Sequence, residues 1–132
     1  KIICDMRFKN SSYLPAVKKQ LQQIADKVYI EGTTTKFSEI LEFNAMLRLD
    51  ESMQLFDFVK AVSAEEGFGE LSAKAVGGAS DSGYTTAVGI ASCCAMGVQG
   101  GRNHTDEEFA IVESLFSRAK LLIAILLKIN TK

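Results

Sequence analysis

Residues 77–109 read GGASDSGYTTAVGIASCCAMGVQGGRNHTDEEF, and the punctuation of this stretch decides how the chain is parsed. Glycines stand at positions 77, 78, 83, 89, 97, 100 and 101. Lacking a Cβ, glycine lets the backbone turn tightly or approach another group closely, so this density predicts short elements joined by sharp turns. The turn at Gly77-Gly78 either cradles an anion with backbone N–H groups or leads into a helix capped by Ser80 or Asp81. A second glycine turn at Gly100-Gly101 leads to His104. Thr105 is expected to cap a long final helix, with Asp106, Glu107 and Glu108 complementing the dipole of its first turn. Val112, Leu115, Phe116, Ala119, Ile123 and Leu126 recur at helical spacing and form its predicted buried stripe.

Upstream of the glycine-rich stretch the patterning is more regular. Ile2, Cys4, Met6 and Phe8 alternate with Ile3, Asp5 and Arg7, the period of a half-buried strand. The chain opens on Lys1 and runs directly into that strand pattern, as if it begins inside a structural unit. Ser11 and Ser12 are expected to cap a helix carrying Leu14, Val17, Leu21, Ile24 and Val28, with Pro15 in its first turn and its end between residues 28 and 32. Residues 33–43 are rich in Thr and alternate Phe37, Leu41 and Phe43 with polar residues, a second strand. Asp50 or Ser52 then caps a helix carrying Met53, Phe56, Val59 and Val62, stopped by Gly67 and Gly69. Residues 71–76 suggest a short strand. The shift from alternation to glycine punctuation puts one domain boundary at residues 44–50.

Bulk composition narrows the class. A length of 132 residues and 47% apolar content support a packed core. With 15 basic and 16 acidic residues spread along the chain, nothing favours nucleic acid or an anionic membrane as partner. The longest apolar run, residues 121–127, is far too short to span a bilayer, and no signal segment opens the chain. Three cysteines, Cys4, Cys93 and Cys94, are an odd number that includes an adjacent pair, which suits a reducing compartment; a cytoplasmic location is expected.

Few side chains suggest chemistry on their own. His104 is the single histidine, and imidazole suits zinc. By itself it reads more readily as a hydrogen-bonding loop residue, because zinc wants three or four protein ligands and no HxxxH, CxxC or HxD spacing exists. Cys93 and Cys94 lie in an apolar segment and read as small core residues. A Ser80-His104-Asp triad lacks the GxSxG elbow. Asp5 and Arg7 share a side of a strand, as a solvated ion pair or as a carboxylate-binding arginine.

The order and spacing of four blocks carry more information than any one of them. Asp5-Met6-Arg7-Phe8, then Glu42-Phe43-Asn44-Ala45-Met46, then Gly77-Gly78-Ala79-Ser80-Asp81, then residues 100–109 (GGRNHTDEEF) together resemble the second half of M20-family zinc peptidases of the glutamate-carboxypeptidase and aminoacylase-like type. The similarity runs over nearly the whole chain. It implies an α/β fold in two pieces: residues 1–44 as the second half of a two-layer α/β lid (dimerisation) domain, and residues 45–132 as the C-terminal part of the α/β catalytic domain. It further implies that His104 is a zinc ligand, that Arg7 binds a substrate carboxylate, and that Gly77, Gly78 and Ser80 line the substrate pocket.

In such enzymes two zinc ions activate water for amide hydrolysis while a glutamate handles the proton. That glutamate and the other metal ligands belong to the family's N-terminal half. The metal site is therefore incomplete here, no catalytic residue is expected in this chain, and the chain alone is expected to be inactive. The implied substrate is a small peptide or N-acyl amino acid, and the implied partner is a second copy joined through the lid. The sequence departs from the family pattern at Asn44, Ala91 and Cys93-Cys94, where proline, proline and Leu-Asp are common. A non-catalytic dimerisation or interaction module is the alternative.

Overall fold

The computed structural model describes residues 1–39 and 41–129; Ile40, inside the second expected strand, and residues 130–132 lie outside them. The chain divides into two compact units, Lys1–Leu47 with Gly77–Gly89, and Arg48–Val76 with Ile90–Lys132. It passes between them three times, where the sequence suggests a single boundary.

The first unit holds a 3-10 turn, Ser11–Tyr13, running into α1, Leu14–Asp26, and a short helix that we number α3, Ser82–Ala87. Asn10, not Ser11 or Ser12, supplies the leading cap: its Oδ1 accepts the Ser12 N–H at 2.9 Å. Ser11 is used elsewhere, its Oγ accepting the Ala45 N–H at 3.2 Å. Pro15 sits at the start of α1, where its missing N–H costs nothing. Leu14 and Ala25 are buried and Val17 and Leu21 half-buried, whereas Ile24 and Val28, expected on the same stripe, are exposed.

The strands expected at residues 2–8, 33–43 and 71–76 form no ladder among the described residues. Alternation records which side chains could share a face, but a strand also needs a neighbour for its backbone. Just beyond the second segment, backbone donors are answered by side chains instead. Thr86 Oγ1 accepts the Leu47 N–H at 3.0 Å, as Ser11 accepts that of Ala45. Gly83 is required at the same junction, because a Cβ there would run into the Asn44 carbonyl.

The second unit is built on α2, Asp50–Glu65, and α4, Val112–Ile129. Helix α2 has acidic residues in its first turn but no side-chain cap from Asp50 or Ser52. Ser52 is buried, and its Oγ accepts the Ser92 N–H at 3.0 Å. The stop is the expected glycine one. Gly67 adopts φ +74°, the Phe68 N–H reaches back to the Ser63 carbonyl at 2.8 Å, and the Gly67 N–H reaches Ala64 at 3.3 Å. This is the Schellman pattern, which answers carbonyls the helix leaves open. Phe68 then packs against a core of Val59, Val62, Leu121 and Ile125. At the C-terminal ends of the two helices Lys128 bridges Glu65 at 2.8 Å and Glu66 at 2.7 Å.

Helix α4 differs from expectation in start and in face. It begins at Val112, not near Thr105, because Phe109–Ala110 (β2) pairs antiparallel with Gly100–Gly101 (β1). Backbone that is bonded across a ladder is not available for a helical turn. The ladder continues through the Ile111 N–H to the Gln99 carbonyl at 2.8 Å. Ser114, Leu121 and Ile125 face the core, while Val112, Leu115, Phe116, Ala119, Ile123 and Leu126, the expected buried stripe, are exposed. Ser114 helps set that rotation: its Oγ accepts the Gln99 N–H at 2.9 Å and donates to the Ile111 carbonyl at 2.6 Å. No helix among the described residues is long and apolar enough to cross a membrane.

Candidate functional site

In the first unit Arg7 and the glycine turn meet. Arg7 Nε donates to Asp5 Oδ2 at 3.0 Å, and Arg7 Nη1 donates to the Gly77 carbonyl at 3.4 Å across a separation of 70 residues. Both charged side chains are mostly exposed, so the pair is screened by water and contributes little to stability. A Cβ on Gly77 would touch Arg7 Nη1 at 3.0 Å, while one on Gly78 would meet open space. Of the two glycines, position 77 is therefore the one shaped by the arginine.

Ser80 is half-buried and serves the following helix: its Oγ accepts the Ser82 N–H at 3.2 Å and its carbonyl accepts the Gly83 N–H at 2.9 Å. Asp81, the alternative cap, makes no side-chain capping bond. The turn thus leads into a helix, one of its two sequence readings, and it also carries the exposed arginine at its first residue.

His104 belongs to the second unit, in the loop that joins β1 to β2. The Thr105 N–H donates to the Arg102 carbonyl at 3.2 Å, closing a tight turn with Asn103 and His104 at its centre. A second turn follows, closed by the Glu108 N–H to the Thr105 carbonyl at 3.1 Å. Arg102 has φ +56° and His104 φ +65°, left-handed conformations where glycine or asparagine is usual. His104 is exposed, and its backbone N–H donates to Glu108 Oε2 at 3.3 Å. Glu107, one residue earlier, pairs with the Arg102 guanidinium.

The acidic triplet expected in a helical first turn is therefore loop material. Sequence reasoning missed the roles of Glu107 and Glu108. The signal available was Thr105-x-x-Glu108, the spacing of a capping box. Here Thr105 Oγ1 accepts the Glu107 N–H at 3.3 Å, and Glu108 reaches one residue further back than a box requires, to His104.

Among the described residues no three His, Cys, Asp or Glu side chains group as a metal ion would need. Within those residues His104 offers a single imidazole, fewer than the three or four protein ligands that zinc takes. Cys4 and Cys93 are free thiols. Cys93 lies against the core of α2 and α4, and burial raises its pKa, which keeps the thiol protonated and unreactive; Cys94 is exposed. Comparisons with family models, with curated proteins and with solved structures find no match to this chain.

Proposed function

We propose that this chain is the substrate-holding, C-terminal portion of a zinc-dependent peptidase or amidohydrolase of M20 type, cytoplasmic, acting on a small peptide or N-acyl amino acid. What supports the reading is the meeting of Arg7 with Gly77, 70 residues apart. Two blocks that are weak evidence separately, DMRF and GGASD, converge on one exposed guanidinium. Asp5 takes its Nε edge, so a substrate carboxylate would approach the Nη end, where planar donors suit two carboxylate oxygens. The reading gives this chain a binding arginine and one imidazole, and no proton-handling residue.

The test uses the protein expressed with its upstream coding sequence. Arg7→Ala should raise KM for a carboxylate-bearing amide about tenfold or more, at unchanged zinc content. His104→Ala should lower zinc content. A protein that keeps its zinc after His104→Ala, or chelator-sensitive turnover by the 132 residues alone, overturns the reading.

The alternative, an interaction module that pairs with a copy of itself, is favoured by one observation. The exposed face of α4 sets Val112, Leu115, Phe116, Ile123 and Leu126 in a row. Together they offer roughly 500 Å² of apolar surface, the size of the largest patch on a typical monomer, which is often functional, and a little under the share per partner in a small specific dimer. A dimer in light scattering that Leu115→Lys dissociates would favour this module; a monomer at all concentrations would remove it.

A further inference from the structure

We propose that Glu108 is a positioning residue for His104: its carboxylate holds the His104 backbone in the left-handed conformation and so fixes the direction in which the imidazole leaves the loop. The inference rests on the reading above only in taking His104 as a working side chain.

Three observations carry it. The first is conformational. The turn closed by Thr105 on Arg102 has positive φ at its third position, the pattern of a type II turn, where glycine is favoured because it has no Cβ. A histidine in that place is held there by its surroundings. The second is the hydrogen bond. The N–H of that third residue takes no part in closing the turn, and here it points at Glu108 Oε2, 3.3 Å away. The acceptor is a carboxylate, which makes the bond charge-assisted.

The third observation is that Glu108 is itself anchored at both ends of its short reach. Its own N–H donates to the Thr105 carbonyl at 3.1 Å, and the next two residues, Phe109 and Ala110, are paired to Gly101 and Gly100. The ladder fixes the backbone of Glu108, and Glu108 in turn fixes that of His104. Glu107 does a different task, tying the Arg102 side chain across the same loop. Adjacent carboxylates thus serve the two left-handed residues separately, one through a side chain and one through the backbone.

The experiment is amide hydrogen exchange of His104, read by NMR on the wild-type protein and on Glu108→Gln and Glu108→Ala, with the melting midpoint recorded for each. Glutamine keeps an acceptor oxygen at the same reach, and alanine keeps none. The expected result is exchange about fivefold faster at His104 in Glu108→Ala, near wild type in Glu108→Gln, with little change in melting. The His104 HN–Hα coupling should leave its left-handed value in the alanine variant alone. Unchanged exchange in Glu108→Ala overturns the proposal, as does a glutamine variant that behaves like alanine. Failure of the functional reading is separate: it appears as zinc content unaffected by His104→Ala while the Glu108 variants still behave as expected.

Discussion

Replacing Leu121 by alanine is expected to cost this chain about 3 kcal/mol of stability, while replacing Ile123, two residues further along the same helix, should cost less than about 1 kcal/mol. The magnitudes follow from burial. Leu121 is 1% exposed and sits among Val59, Val62 and Ile125, so truncation removes three buried carbons, at about 0.8 kcal/mol each, and leaves a cavity that the two helices can only partly close. Ile123 is 57% exposed, and most of what alanine removes there was already in water. For a chain of this size 1 kcal/mol corresponds to about 4 °C, so the midpoints should fall by about 12 °C and by no more than about 4 °C. Thermal unfolding followed by far-UV circular dichroism measures both. If Ile123→Ala proves as costly as Leu121→Ala or costlier, α4 is rotated, its stripe of Val112, Leu115, Phe116, Ile123 and Leu126 faces inward, and the core described above is wrong.

Two further outcomes are expected. Because His104 has φ +65°, His104→Gly should change stability by no more than about 0.5 kcal/mol, relief of strain offsetting glycine's entropy, whereas the β-branched His104→Val should be about 2 kcal/mol less stable than the glycine variant; equal midpoints for the two variants in urea unfolding would remove the left-handed assignment. The pKa of Lys128 is raised by its hydrogen bond to Glu65, then by that to Glu66. A raised folded-state value means the stabilisation is complete below the ordinary lysine value of 10.5 and is lost as pH climbs through the higher folded one, so the advantage of wild type over Lys128→Met should shrink only at strongly alkaline pH. A constant difference through that range would show that the charge is not what ties α4 to the end of α2.

How much could be read in advance depended on whether the deciding interactions were local. The stop of α2 was legible because a Schellman turn is made by six consecutive residues and needs only a glycine at position 67. Pro15 at the start of α1 was legible for the same reason. The caps were not. Ser11 and Ser52 have the chemistry of N-caps, but their hydroxyls answer backbone donors at Ala45 and Ser92, 34 and 40 residues away. For the candidate site, the residue types at Arg7, Gly77, Gly78, Ser80 and His104 were visible. That Arg7 touches Gly77 was not, and the sequence left open whether Ser80 or Asp81 would serve α3.

Sequence alone therefore determined where helices α1 and α2 form and where α2 stops, since propensity, proline and glycine act within a turn or two of themselves. It also marked His104 by residue type, as the single histidine. Only the tertiary structure decided the rotation of α4, because that helix is apolar on two faces and periodicity cannot rank them; the Ser114 bonds to Gln99 and Ile111 and the packing of Leu121 and Ile125 on α2 choose between them. Tertiary pairing likewise drew residues 105–110 out of the expected helix. Once Gly100 and Gly101 had taken Ala110 and Phe109 as ladder partners, the carboxylates before them had no helix to cap and turned back on the loop that carries His104.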